Sequence, residues 1–328
     1  MIIRRLMRIL AIITSFATYL ILLLGTLVTT TDSGLGCGNS WPFCHGQIIP
    51  GTITVQGVIE YGHRVMSSVD GILVVAITLG TWLLYRQDFR ARLFSALSLF
   101  FVLLQGALGA LTVIYEGTFN KNWFLSVHFG FSLMALASVI LLTVRLFQID
   151  REQQYPEEKS TPIKKLQFPV WGLAIYTYIV VYTGALVEHS GAILGCGYQI
   201  PGCGSTYLPN FTSLAGIQVL HRYAAGLLWF LVLGLLIVAV RNYRERSDIV
   251  RGAWLAFIFI TLQAISGIGN VLSNGQMLAA LLHATIISVF FSALCYLCMQ
   301  VGQPWKRVKV QQKMESEQVG LNTVSQTR

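Results

Sequence analysis

Apolar residues along this chain fall in long blocks, separated by shorter polar and often basic connections. Eight blocks approach the roughly 20 residues needed to cross a bilayer. They lie near 9–29, 62–85, 94–114, 124–147, 168–189, 218–241, 253–272 and 278–301. Inside hydrocarbon every backbone donor and acceptor must be paired within the protein, so each block is expected to be a helix. The pattern predicts an all-α integral membrane protein with eight transmembrane helices.

Composition agrees: 54% of residues are hydrophobic and 11% are charged, against about a quarter charged in soluble domains. The basic residues sort by connection. Arg4, Arg5 and Arg8 precede the first block, and Arg86, Arg90 and Arg92 fill the second connection. Arg145, Arg151, Lys159, Lys164 and Lys165 mark the fourth, and Arg241, Arg244, Arg246 and Arg251 the sixth. Lys306, Arg307, Lys309 and Lys313 follow the last block. The positive-inside rule then places both termini in the cytoplasm. The net charge of +9 belongs to that face. Scattered among connections and without a nucleic-acid motif, it points to a membrane surface and to no nucleic acid. The first block is too long for a signal h-region and lacks a clear cleavage site, so it is read as a retained helix.

The chain is written twice. "GTLVTTTDSGLGCGNSWPFCHG" (25–46) aligns with "GALVEHSGAILGCGYQIPGCGS" (184–205), which offsets Cys37 and Cys44 from Cys196 and Cys203 by 159 residues. "EYGHR" aligns with "QVLHR", so His63 and His221 are offset by 158, as are Gln105 and Gln263. His128 and His283 are offset by 155. Four blocks per copy return the chain to the same side, so two four-helix bundles are expected, related by a pseudo-two-fold axis along the membrane normal. Residues 1–149 form the first unit, 150–167 a cytoplasmic linker, 168–302 the second unit, and 303–328 a polar, disordered cytoplasmic tail. Gly106, Gly109 and Gly267 are small enough to admit a close helix or a flat ligand.

Four of the six histidines occupy matched positions at the mouths of spans two, four, six and eight. A lone membrane histidine is usually a packing residue. Two per bundle, at matched depth, suit the axial ligands of a tetrapyrrole iron. Zinc would prefer a more compact set, and a di-iron site would need more Glu-x-x-His motifs. Glu60 and His63, three residues apart, share a helix face, while the second copy carries Gln218 in place of the acid. Glu60 is either a proton carrier of a reactive first bundle, an ion-pair partner of Arg64, or a charge at a helix N-terminus. Arg64 and Arg222 either hold anionic propionates or snorkel at the interface. His45 and His189 lack repeat partners and read as surface residues. The ionisable residues cluster at the outer helix mouths, which argues against a transporter with a mid-membrane ion site.

Two Cys-x6-Cys pairs, Cys37 with Cys44 and Cys196 with Cys203, lie in connections on the non-cytoplasmic side. That side favours disulfides, which would stiffen the loops; redox exchange is the alternative role. Cys295 and Cys298 read as buried thiols of the last helix.

The order "GxLVTxTxSGxGCxxxWPxCHG", "IEYGHR", "VHFG", "LHR", "LLHA" resembles the haem A synthase family, in its Gram-positive form with two cysteine pairs, across residues 9–301. The resemblance implies oxidation of the C8 methyl of haem O to a formyl group by two successive hydroxylations, the gem-diol then losing water to leave haem A for a terminal cytochrome oxidase. It implies that His63 and His128 flank substrate haem O, that His221 and His283 ligate a haem b cofactor, and that Glu60 is the catalytic carboxylate. It also implies disulfides Cys37–Cys44 and Cys196–Cys203, a bacterial plasma-membrane location, and an unidentified electron donor. Contact with haem O synthase and with oxidase assembly follows from the same likeness. A di-haem electron-transfer cytochrome is the rival that the histidines alone fit equally well.

Overall fold

The computed structural model describes residues 2–51, 54–115, 121–154, 163–200, 202–203 and 209–305. Most of the expected tail, from 306 onward, and residues 155–162 of the expected linker lie outside them. The fold is all-helical: α1 Ile2–Thr30, α2 Val55–Leu84, α3 Phe89–Ile114, α4 Lys121–Gln154, α5 Lys164–His189, α6 Leu214–Asn242, α7 Ser247–Leu272 and α8 Met277–Val301. All eight are long and apolar enough to span a membrane. Exposed Phe16, Ile72, Leu79, Phe230 and Ile265 cover the outer helix faces, as expected where lipid rather than water is the solvent.

Several helices begin earlier than their apolar blocks. The hydroxyl of Thr54 accepts from Gly57 N at the start of α2, and Ser213 accepts from Gly216 N at the start of α6. These side-chain caps satisfy donors that a helix start leaves open. They add a polar turn that hydropathy does not register. Glu60, His63 and Arg64 therefore sit within regular helix rather than at its edge.

α1 packs on α2 and α4, α2 on α3, and α3 on α4; α5 through α8 make the same four contacts among themselves. The two rings join where α4 meets α5 and α8, and where α1 meets α8. The larger core follows that seam, with Leu133 and Leu136 of α4 beside Val180, Leu228, Phe290 and Leu294. Small residues set the closest approaches. A methyl on Gly130 of α4 would lie 2.6 Å from the Tyr182 ring of α5, and one on Gly252 of α7 would lie 2.5 Å from Leu297 of α8.

At the face opposite the disulfide loops, buried Arg145 of α4 donates to Asp88 (2.7 Å) and Glu152 (2.7 Å). Asp88 also caps α3 by accepting from Ala91 N. Burial alone would raise the Asp88 carboxyl, but the hydrogen bonds from Arg145 and Ala91 outweigh it and hold the group below its usual range. The second connection is thereby pinned to the end of α4.

Candidate functional site

Each disulfide loop is seated on the helix that follows it, by the same contacts in both copies. The bonds Cys37–Cys44 and Cys196–Cys203 are formed, with Sγ separations of 2.08 and 1.98 Å. Gly36 lies against the first turn of α2, where a methyl would fall 2.4 Å from the Gln56 carbonyl. Its repeat partner Gly195 meets Leu214 of α6 at the same 2.4 Å. Only glycine permits that approach. Cys37 N donates to Glu60 Oε2 (2.6 Å), and Cys196 N donates to Gln218 Oε1 (2.7 Å). Arg64 donates to the carbonyls of Ser40 (2.7 Å) and Phe43 (2.8 Å), while Arg222 donates to those of Gln199 (2.7 Å) and Gly202 (2.9 Å).

The acid-to-amide difference is absorbed locally. Gln218 uses its amide to donate to Ile193 O, whereas Glu60 pairs with Arg64. Glu60 is thus both a loop latch and an ion-pair partner, and the latch is common to both copies. The ion pair that the sequence offered as one reading of Glu60 is present.

Behind the loops lies one cavity of about 890 Å³. His63, His128, His221 and His283 all line it, as do Glu60, Arg64, Gln218 and Arg222. The structure therefore brings every sequence-predicted site residue except the cysteines to one continuous space that serves both rings. Among the described residues, no three His, Cys, Asp or Glu side chains cluster as a bare metal site.

Each histidine ring rests on a glycine of the neighbouring helix. A methyl on Gly25 would sit 3.4 Å from His63, on Gly109 3.7 Å from His128, on Gly184 2.9 Å from His221, and on Gly267 3.2 Å from His283. The second-copy rings are the more tightly seated. They are also oriented by hydroxyls. Thr183 Oγ1 donates to Val180 O (2.7 Å) and lies 2.9 Å from His221 Nδ1. Ser266 Oγ donates to Gln263 O (3.0 Å) and lies 2.9 Å from His283 Nδ1. Each hydroxyl holds its ring through Nδ1, and donation from Nδ1–H to it would leave the Nε2 lone pair for a ligand. The Gln263 amide lies 3.0 Å from His283 Nε2, a contact that a ligand there would displace.

The first copy lacks this second contact. His63 Nδ1 and His128 Nδ1 are buried without hydrogen-bond partners. At the positions matching Thr183 and Ser266 stand Leu24 and Leu108. Buried polar atoms are ordinarily paired, so these two rings lack the support at Nδ1 that orients the second-copy pair.

Two readings need correction. His189 is not a surface residue: it is half-buried and lines the cavity, because α5 packs on α4 and carries it inward. His45 is exposed, as expected, and contacts Gly36 O through Nε2 (3.1 Å). Ionisable groups are also not confined to the helix mouths. Asp70, midway along α2, is 2% exposed and lines the cavity. The first-copy residue that matches Leu228 was visible in the alignment, but a single acid in an apolar block has no motif to announce it.

Comparison with known proteins supplies the remaining finding. The model of the COX15-CtaA family, described as cytochrome oxidase assembly protein, matches residues 8–295. The chain is 40% identical over 297 residues to "Heme A synthase" of Bacillus mycoides (strain KBAB4), covering 90% of this chain and 93% of that one. "Heme A synthase" of Bacillus cereus (strain AH187) and of Bacillus anthracis (strain CDC 684 / NRRL 3495) match with the same identity and coverage.

Proposed function

The chain belongs to the COX15-CtaA family of cytochrome oxidase assembly proteins, and from that membership and the cavity geometry we propose how its two copies divide the work of a haem A synthase. It is an oxidoreductase of the membrane that converts haem O to haem A. In this reading the first copy holds substrate haem O between His63 and His128. The second copy holds a resident haem b through His221 and His283, and that haem supplies one-electron transfer when bound.

The observation that carries the assignment is the unequal support of the four rings. His221 and His283 are each held by a hydroxyl at Nδ1 and by a glycine. A permanent axial ligand needs that arrangement. His63 and His128 have glycine contacts only and no partner at Nδ1, which suits a site that is filled and emptied in every cycle.

Glu60 is the proton-handling group of the first copy, and its amide counterpart Gln218 is inert in that role. Arg64 and Arg222 line the cavity beside the loops and would meet the propionates there, with the remaining guanidinium donors kept on the loop carbonyls. The disulfide loops face the outside of a bacterial plasma membrane, and both termini lie in the cytoplasm. An electron donor, haem O synthase and the oxidase assembly machinery are the expected partners.

Co-expression with a haem O source, followed by pigment extraction and chromatography, tests the activity. Haem A is the expected new product. Unchanged haem O, in a protein still carrying haem b, would instead mark an electron-transfer cytochrome. The tautomer argument is tested separately. Thr183→Val and Ser266→Ala each remove the acceptor for an Nδ1 proton, and each is expected to weaken haem b retention roughly 10- to 100-fold. Wild-type retention in both variants would remove the basis for placing the resident haem in the second copy.

A further inference from the structure

Asp70 has no place in the account so far. It lies on α2, seven residues beyond His63, so the two share a helix face about 10.5 Å apart along the axis. Its repeat counterpart is Leu228, seven residues beyond His221 on α6. Both line the cavity and both are buried, Asp70 at 2% and Leu228 at 1% exposure. The contrast extends to their neighbours. Ser67 and Ser68 line the first copy where Ala225 and Gly226 line the second.

Hydrogen-bond counting fixes what Asp70 offers. Thr18 Oγ1 lies 2.9 Å from Thr14 O and 2.8 Å from Asp70 Oδ1. The hydroxyl has one proton. The Thr14 carbonyl already accepts from the helix backbone, so that proton is available to Asp70 Oδ1, which accepts it. The other oxygen, Oδ2, has no hydrogen-bond partner among the described residues. It is an acceptor at the cavity wall.

We infer that Asp70 recognises the hydroxyl on the isoprenoid-bearing side chain of the substrate haem, and so selects haem O over haem B in the first copy. The inference rests on the reading of His63 and His128 as the substrate site. In haem O that hydroxyl is on the first carbon of the substituent replacing a vinyl group, on the macrocycle edge away from the propionates. With the propionates toward Arg64, that edge points along α2 to Asp70. Haem B carries only an apolar vinyl group there, and Leu228 is the matching apolar wall of the second copy. One acid against one leucine at the same repeat position thus distinguishes the two haems. Asp70 acts on which haem binds, and takes no part in the oxidation.

The test isolates the hydroxyl from the long tail. Ferric haem B and iron haematoporphyrin, which has hydroxyethyl groups in place of the vinyls, are titrated separately into the solubilised full chain carrying its resident haem b. Binding is read from the Soret band. The wild type is expected to favour the hydroxyethyl compound about tenfold, the worth of one good hydrogen bond. Asp70→Leu is expected to abolish the preference. Asp70→Asn is expected to keep it, because the amide oxygen still accepts from Thr18 while the amide N–H donates to the ligand hydroxyl oxygen. Equal wild-type affinities, a preference that survives Asp70→Leu, or one lost in Asp70→Asn would each overturn the inference. Should Asp70→Leu fail to accumulate, the wild-type ratio and Asp70→Asn still decide it, with an unchanged haem b spectrum as the check on folding. Failure of the underlying reading looks different: His63→Ala would then still bind added haem O, whatever the wild-type ratio.

Discussion

Glu60→Gln is expected to stop haem A formation while leaving the protein folded and loaded with haem. The second copy is the reason to choose glutamine. Gln218 occupies the equivalent position and accepts from Cys196 N just as Glu60 accepts from Cys37 N. The substitution therefore keeps the loop latch and removes only the charge and the capacity to carry a proton. Arg64 retains the carbonyls of Ser40 and Phe43. Loss of a positioned acid or base typically costs 10²- to 10⁴-fold, so conversion should fall at least about a hundredfold, with haem content near wild type. Glu60→Ala is less informative because it removes the latch as well. Normal conversion by Glu60→Gln would leave Glu60 as a latch and nothing more.

His283→Ala is expected to abolish the low-spin b-type spectrum, and His221→Ala to do the same. In the proposed assignment each would remove one of the two nitrogens that hold the resident haem, and the other could not hold it alone. The decisive comparison is with His63→Ala. That variant should keep the low-spin spectrum and lose binding of added haem O. Absorption spectra with haem quantification distinguish the cases. A low-spin spectrum that survives His283→Ala but not His63→Ala would exchange the roles of the two copies.

Much of this was legible in the residues. The eight helices follow from apolar block length, and the cysteine pairs and four histidines follow from the repeat. Helix starts were missed because Thr54 and Ser213 cap polar turns that hydropathy ignores. The hydroxyl supports were present in the sequence as two dipeptide contrasts, Leu24-Gly25 against Thr183-Gly184 and Leu108-Gly109 against Ser266-Gly267. Their meaning needs the neighbouring helix, since each acts on a histidine of the next span. The union of both halves in one cavity was not legible. It depends on how α4 meets α5 and α8, and helix–helix packing in lipid is set by small-residue contacts such as Gly130 with Tyr182 rather than by hydropathy. His189 was misread for the same reason.

The graded distances between glycines and histidines have a kinetic consequence. In the second copy the margins are 2.9 and 3.2 Å, and in the first they are 3.4 and 3.7 Å. A ring wedged against backbone and tethered through its far nitrogen has no rotation by which to let go, so its ligand should reside for the lifetime of the protein. A ring with a few tenths of an ångström of slack and no tether can swing without first breaking a bond. On the proposed division of labour, the two copies would set two residence times within one chamber, and product could leave without unseating its neighbour.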